Sequence, residues 1–175
     1  MKNIDKKSFE EVIKVKPTNI INGFDDYTSA IIIDDRGKGK ETELKFYNLL
    51  NKYYIEEEKL VADYYGNAIE EDEFNNMISQ LEEEDRKILT NIRKDLNKDS
   101  IYFEIESKKD LYLLLTLSLK NILFSTFYFK SGEFTIWSNY DYKFVIFFNN
   151  ESSLKDFEKI AKECELILKD INIVE

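Results

Sequence analysis

Apolar and polar residues alternate most regularly within residues 125–148, and this pattern predicts a three-stranded antiparallel meander. Ser131 and Gly132 separate two runs of aromatic and β-branched residues, which is a signal for a two-residue hairpin turn. A slip by one residue would exchange the two faces of the strands, so the alternation specifies the register. The residues predicted to lie opposite one another are Lys130 and Glu133, Phe129 and Phe134, Tyr128 and Thr135, Phe127 and Ile136, and Thr126 and Trp137.

The second turn of the meander is predicted within residues 138–140. A three-residue loop there sets Phe134 opposite Phe144 and Thr135 opposite Lys143. One face of the meander is then apolar and is expected to carry the core. Its residues are Phe127, Phe129, Phe134, Ile136, Tyr142, Phe144, Ile146 and Phe148.

The second face of the meander mixes polar and aromatic side chains. Its residues are Thr126, Tyr128, Lys130, Glu133, Thr135, Trp137, Lys143, Val145 and Phe147. Such a face is either an exposed recognition surface or a surface that another element covers. Because Val145 and Phe147 are too apolar to remain in water, we expect a cover, for which a helix beginning near Thr42 is the candidate.

Three further elements are predicted between residues 27 and 96. Residues 27–33 are expected to form a strand that is buried on both faces. Helical spacing of apolar residues begins at Thr42 and continues, bent or broken, to about residue 65. Residues 69–96 are also helical in pattern, but Ser79 and Glu82 have the spacing of a capping box. One long helix and two shorter helices both fit this stretch.

The C-terminal part of the chain predicts a regular series of elements. They are a strand at 101–105, a helix started by Ser107 and Asp110, the meander, a helix capped by Ser153 and Asp156, and a closing strand within 166–174. This order is typical of the α+β class, in which helices pack on a mainly antiparallel sheet. At 175 residues the chain is expected to form a single domain, residues 1–175.

Residues 111–129 carry a single charge, Lys120, so a membrane span is an alternative for this stretch. A charge near the middle of a span is costly, and the period changes from helical to alternating after Phe124. We therefore expect a buried helix followed by a strand, and no membrane association.

The composition excludes several kinds of site. The sequence contains no histidine and one cysteine, which excludes a Cys/His metal centre, a His-activated nucleophile and an intramolecular disulfide. We expect no catalytic residue, no cofactor and no bound metal ion. The first fourteen residues contain no apolar run typical of a signal peptide, so the expected location is the cytoplasm.

Negative charge is concentrated in residues 56–85, which contain twelve acids and one base. This stretch carries −11 against −10 for the whole chain, so the remainder carries +1. The asymmetry exceeds what solubility requires, and we expect the predicted helical segment 56–98 to contact a partner with a basic surface. The candidate contact residues, which we call the acidic surface, are Glu70, Glu71, Asp72, Glu73, Glu82, Glu83, Glu84 and Asp85.

Two other groups of residues have the composition of known kinds of site. Residues 37–40 form a Gly- and Lys-rich loop between a strand and a helix, but Asp34 and Glu41 stand where a Walker A motif needs Gly and Ser or Thr. An ordinary loop is the expectation there. A magnesium-dependent nuclease site could be assembled from Glu104, Glu106, Lys108, Asp34 and Asp35. The negative field of the chain argues against a nucleic-acid substrate.

These patterns predict a non-catalytic cytoplasmic protein-interaction module, such as an acidic inhibitor or immunity-type protein of bacterial kind that binds a basic protein partner. Direct nucleic-acid binding is not expected. Two other hypotheses remain open. One is a structural or regulatory subunit of an oligomer, and the other is a carboxylate-dependent enzyme that requires magnesium.

Overall fold

The computed structural model describes residues 1–54, 60–95, 100–130 and 133–174. This part of the chain contains seven α-helices: α1 (Lys6–Val12), α2 (Ile20–Asp26), α3 (Lys40–Tyr53), α4 (Glu71–Ser79), α5 (Glu83–Asp95), α6 (Lys108–Leu119) and α7 (Glu151–Glu163). It also contains eight strands: β1 (Lys2–Asn3), β2 (Thr28–Ile33), β3 (Val61–Asp63), β4 (Tyr102–Glu104), β5 (Thr126–Phe129), β6 (Phe134–Trp137), β7 (Phe144–Phe148) and β8 (Ile167–Asn172).

The eight strands form one sheet in the order β1-β4-β3-β5-β6-β7-β2-β8. Every neighbouring pair of strands runs antiparallel. The predicted α+β class, with helices packed on a mainly antiparallel sheet, is therefore confirmed. The first and last strands, β1 and β8, form the two edges of this sheet, and inside it β3 and β5 pair residues that are distant in sequence, such as Ala62 and Phe127.

The first face of the sheet carries the main core. Phe46 of α3 packs on Phe144 of β7 with ring centroids 4.8 Å apart, and Phe157 of α7 packs on Phe134 of β6 at 5.0 Å. Helix α6 adds a nearly continuous buried run: Leu111, Leu113, Leu114, Leu115, Leu117 and Leu119. Burial of this much aliphatic and aromatic surface is the main term that stabilises the fold.

Strands β5 and β6 pair in the register that the alternation of residues predicts, from Thr126 opposite Trp137 to Phe129 opposite Phe134. The predicted turn at 131 and 132 lies outside the described residues. The predicted pairing of β6 with β7 is wrong, because Phe134 lies opposite Phe148 rather than Phe144. A longer connection that includes a 3-10 helix at Tyr140–Tyr142 replaces the three-residue loop.

The error in register does not exchange the faces. Since the shift is by an even number of residues, the apolar side chains of β7 stay on the core face. Phe144, Ile146 and Phe148 all belong to the main core cluster. Tyr142, predicted to continue this face as strand, lies instead in the 3-10 helix and is partly buried against the same core.

The second face of the sheet is covered by the N-terminal segment, and not by the helix beginning near Thr42 as predicted. That helix, α3, packs on the first face. On the second face Tyr128 packs with Phe9 of α1, and Phe147 packs with Phe24 of α2 at a ring-centroid distance of 5.6 Å. The hydroxyl group of Thr135 donates a hydrogen bond to the carbonyl of Val15, which ties the cover to the sheet.

The predicted helical segment 56–98 requires a correction. Residues 61–63 form β3, which lies inside the sheet between β4 and β5. The predicted helix from Thr42 therefore ends at Tyr53 and does not reach residue 65. Tertiary pairing overrides helical spacing here, because Val61 and Ala62 are completely buried in the sheet. Residues 55–59 and 96–99 of the segment lie outside the described residues.

Helices α4 and α5 show that residues 69–95, the described part of the predicted stretch 69–96, contain two helices rather than one. The predicted capping box is not what separates them. Ser79 is the last residue of α4, and its hydroxyl group donates to the carbonyl of Asn76 at 2.7 Å. Similarly, Ser153 does not cap α7: the side chain of Asn150 is the N-cap and accepts the backbone N–H of Ser153.

The predicted start of α6 is confirmed. The Ser107 side chain is the N-cap and accepts the backbone N–H of Asp110 at 3.2 Å. The helix ends at Leu119 and is followed by β5, so the apolar stretch 111–129 is a buried helix and then a strand. Within the residues that the structure describes, no helix has the length and apolar character that a membrane span requires.

Candidate interaction surface

The acidic surface lies at the starts of two consecutive helices. Glu71, Asp72 and Glu73 occupy the first turn of α4, and the first turn of α5 holds Glu83, Glu84 and Asp85. Carboxylates in this position are stabilised by the positive end of the helix dipole. The helix starts therefore explain why acids are tolerated in clusters here.

Seven of the eight residues of the acidic surface are exposed, and Asp85 is half-buried. Three of them form ion pairs: Glu71 with Arg93, Glu83 with Lys87, and Glu84 with Lys109. Across the described residues the other five have no ion-pair partner. Glu70, Asp72, Glu73, Glu82 and Asp85 are thus available to a cationic group from outside.

A cleft of about 530 Å³ adjoins the acidic surface, between α3, the start of α5 and α6. Glu82 and Asp85 lie on its wall. Its apolar part is formed by Leu44, Tyr47 and Tyr112, and the two tyrosine rings meet edge to face at 5.3 Å. Leu44 is 56% exposed and Tyr112 is 49% exposed, so this apolar patch faces solvent.

The charge in the cleft is mixed. Lys40 and Lys120 line it together with Glu43, Glu82 and Asp85. Glu43 also accepts a hydrogen bond from the hydroxyl group of Tyr142 at 3.3 Å. The cleft therefore offers an apolar centre with charged groups at its edge, which is the general arrangement of a protein–protein contact.

The residues of the hypothetical magnesium site are not brought together. Asp34 directly follows β2, whereas Glu104 ends β4, and four strands lie between β2 and β4 in the sheet. At about 4.8 Å per strand the two carboxylates belong to positions roughly 24 Å apart. Glu104 lies 3.8 Å from the ammonium group of Lys130. Among the described residues no group of three metal-binding side chains is close enough to hold an ion.

The loop at 34–40 has a structural role. Asp34 accepts hydrogen bonds from the ammonium group of Lys45 at 2.6 Å and from the hydroxyl group of Thr42 at 2.9 Å. Gly37 and Gly39 have φ angles of 153° and 116°, which residues other than glycine rarely adopt. The loop thus directs the start of α3 back over the end of β2, and Asp34 neutralises a buried lysine.

The sequence interpretation missed Asp63, which it counted among the acids of the charged segment. Asp63 ends β3 and is only 6% exposed. Its Oδ1 atom accepts the backbone N–H of Thr126 at 2.6 Å. Burial raises the pKa of Asp63 to about 6, against hydrogen bonds that lower it. The available signal was its position as the single charge within the apolar stretch 60–65.

Searches against protein-family models, curated proteins and solved structures found no match to this chain. The class that the structure itself defines is an α+β protein with a single antiparallel sheet in its described residues.

Proposed function

We propose that this protein is a non-catalytic protein-interaction module that binds a basic partner protein, in the manner of an acidic inhibitor or immunity-type protein. The supporting observation is the position of unpaired carboxylates beside an exposed apolar patch. Glu82 and Asp85 line the same cleft as Leu44 and Tyr112. A partner with an apolar side chain flanked by lysine or arginine would complement this arrangement.

The two parts of the surface have different roles in this proposal. The carboxylates attract a cationic partner and accelerate encounter, an effect that salt screens. Leu44 and Tyr112 supply apolar area that becomes buried on contact, and this contribution depends little on salt. We propose a cytoplasmic location because the single cysteine of the chain allows no intramolecular disulfide.

The proposal is tested by retention of proteins from a cell extract on the immobilised chain at low salt, followed by elution at high salt. A retained protein is then purified, and its affinity is measured by calorimetry at both salt concentrations. The variant Glu82→Lys/Glu83→Lys/Glu84→Lys should lose most of the binding. The neutral variant with glutamine at the same positions should lose less.

A matched control carries the same change in net charge elsewhere. Asp25, Asp26 and Asp35 are exposed acids outside the acidic surface, and the variant with lysine at all three should bind almost as well as the original chain. Circular dichroism and thermal unfolding verify that each variant is folded. Equal loss in both lysine variants, or an affinity that does not change with salt, contradicts the proposal.

A structural or regulatory subunit of an oligomer is the second candidate, and one observation favours it. Strand β8 stands at the end of the sheet order, and Ile171 and Ile173 near it are 47% and 51% exposed. An exposed apolar edge strand can pair with another chain. Light scattering over a range of concentrations tests this candidate, with Ile171→Lys/Ile173→Lys as the variant that should abolish any oligomer.

A further inference from the structure

The second face of the sheet contains a pocket that the proposed function does not use. It has a volume of about 310 Å³ and lies where the N-terminal cover meets β4, β3, β5 and β6. Residues of four adjacent strand segments form its floor, and residues of α1 and the segment after it form the rim. The floor residues are Tyr102, Asp63, Tyr128 and Trp137. Helices α4 and α5 contribute to the core on the opposite face.

The Asp63 carboxylate at this floor has hydrogen-bonding partners but no ion-pair partner. The backbone N–H of Thr126 donates to Oδ1 at 2.6 Å, and the Thr126 side chain also hydrogen-bonds to the carboxylate. The hydroxyl group of Tyr128 lies 3.4 Å from Oδ2, near the upper distance limit of a hydrogen bond. No lysine or arginine within the described ranges forms an ion pair with Asp63. A carboxylate that is 6% exposed and forms no ion pair is energetically costly.

The lysines that line the pocket do not fill this role. The ammonium group of Lys16 lies 2.8 Å from the carboxylate of Glu10 and 2.7 Å from its backbone carbonyl. Lys6 is exposed and attracts the same glutamate. Both side chains therefore stay at the rim of the pocket with Glu10. The two lysines and Glu10 give the rim a net charge of +1, and the negative charge of Asp63, which has no ion-pair partner among the described residues, lies below it.

The walls of the pocket are aromatic. Tyr65 and Trp137 line it along with the floor tyrosines, and Tyr65 is 44% exposed. Phe9 stacks on Tyr102 with ring centroids 3.8 Å apart, which fixes that ring in place. Burial raises the pKa of Tyr102 and of Tyr65, so both hydroxyl groups stay neutral at physiological pH. Aromatic faces beside a carboxylate form a favourable environment for an organic cation.

We propose that this pocket binds a primary alkylammonium group, whose N–H groups donate to the Asp63 carboxylate while its alkyl chain packs against Tyr65, Tyr128 and Trp137. A negatively charged ligand would meet the buried carboxylate and be repelled. A neutral ligand of the same shape would leave Asp63 without its counterion. The same ammonium chemistry occurs in a free amine and in the side chain of a lysine, and the experiment separates these two sources.

Trp137 provides the readout, because it is the one tryptophan of the chain and it lines the pocket. The full chain is titrated with n-butylammonium chloride at about pH 7.5, where the carboxylate is ionised and the amine, with a pKa of about 10, is charged. We expect a saturable change in tryptophan emission and a matching heat in calorimetry. n-Butanol, with the same shape and no charge, should give neither. Sodium chloride corrects for ionic strength.

Variants test the roles of individual side chains. Asp63→Asn should weaken butylammonium binding by about tenfold or more, because a charge-assisted hydrogen bond becomes a neutral one. Tyr65→Ala removes a ring that is 44% exposed, and it should weaken binding by about threefold to tenfold; thermal unfolding verifies that the variant is folded. Asp25→Asn makes the same chemical change at an exposed position outside the pocket and should have no effect.

The pH dependence gives an independent readout. Because the pKa of Asp63 is about 6, affinity should fall by about tenfold for each pH unit below that value, as the carboxylate gains a proton. Nα-acetyl-lysine amide is titrated in parallel. Tighter binding of this compound than of butylammonium assigns the pocket to a lysine side chain, and the reverse assigns it to a free amine.

The proposal is overturned if neither amine produces a saturable response, or if n-butanol binds as well as butylammonium. It is also overturned if both Asp63→Asn and Tyr65→Ala bind like the original chain. These results are independent of the partner-binding proposal, because lysine substitutions at residues 82–84 leave the pocket unchanged.

Discussion

Asp34 and Asp63 are both carboxylates at the end of a strand, and both are removed from water, yet their surroundings differ. Asp34, with a side chain that is 2% exposed, lies against Lys45, which is 8% exposed. Burial would raise the pKa of Asp34, but hydrogen bonds from Lys45, the backbone of Arg36 and Thr42 outweigh it and lower the pKa. At Asp63 burial prevails, and the pKa rises to about 6.

The difference shows that burial alone does not determine the charge of an acid; the presence of a cation partner does. The acidic surface extends this comparison. Seven of its carboxylates are exposed and one is half-buried, so all are solvated, and their number is a poor measure of what they contribute to stability. A single buried carboxylate without a cation is a stronger indication of a binding site than a cluster on the surface.

The largest effect is expected from removing the cation beside Asp34. Lys45→Met should lower the free energy of unfolding by about 3 kcal/mol, since it leaves a buried carboxylate unpaired at neutral pH. The loss should shrink at low pH, where Asp34 can take up a proton. Urea unfolding at neutral and acidic pH measures both. Lys87→Met, which breaks the exposed pair with Glu83, is the control, and an equal loss there would contradict the comparison.

The second expected effect concerns Asp63, whose contribution to stability changes with pH in the opposite direction to that of Asp34. Its folded pKa of about 6 exceeds the unfolded value, so the folded state binds more protons and stability falls as pH rises from about 4 to about 6. The full penalty above that range is at most about 3 kcal/mol. The difference in unfolding free energy between the original chain and Asp63→Asn should show this slope. A flat difference would mean that Asp63 is solvated.

A smaller effect is expected where the cover meets the sheet that holds Asp63. A Cβ atom at Gly23 would lie 2.5 Å from the ring of Phe147 and 3.0 Å from Pro17. Gly23→Ala should lower the free energy of unfolding by about 1–2 kcal/mol, because the cost of overpacking exceeds the gain of about 1 kcal/mol from the higher helix propensity of alanine. Thermal unfolding measures it against Asn22→Ala, an exposed change in the same helix. Unchanged or increased stability for Gly23→Ala would show that the cover adjusts.

The smallest effect is expected at the acidic surface. Lys109→Ala removes the ion-pair partner of Glu84. The ammonium group of Lys109 lies 3.1 Å from the Glu84 carboxylate, and both side chains are mostly exposed. The change in unfolding free energy should be below about 0.5 kcal/mol, as for other exposed pairs. Chemical unfolding at low salt gives the most sensitive measurement. If Lys109→Ala lowered the unfolding free energy as much as Lys45→Met, exposure would not explain the difference between Glu84 and the buried Asp34.

Local patterns in the sequence predicted much of the fold. The alternation in 125–148 predicted which side chains face the core, and the register of β5 and β6 followed from it. The predicted pairing of β6 with β7 was wrong because the connection contains a 3-10 helix, which the alternation of apolar and polar residues does not predict. Strand β3 was missed because three buried residues are too few to establish a period.

One candidate site could be predicted from the sequence, and two other features could not. The acidic surface was visible in the sequence, since charge can be counted without a structure, and its residues lie at two helix starts. The cleft beside it was not visible, because Leu44 and Tyr112 come from helices 68 positions apart in the chain. The role of Asp63 was hidden for a related reason: its hydrogen-bonding partner, Thr126, is 63 residues away.

The α+β class, the apolar face of the sheet and the uneven charge could all be predicted from the sequence, because they depend on the order and chemistry of neighbouring residues. The folded structure was needed to establish which carboxylate has a cation partner, which face of the sheet the N-terminal helices cover, and where a pocket remains. Those features depend on distances between segments that are remote in the chain. Local periodicity carries no information about such distances.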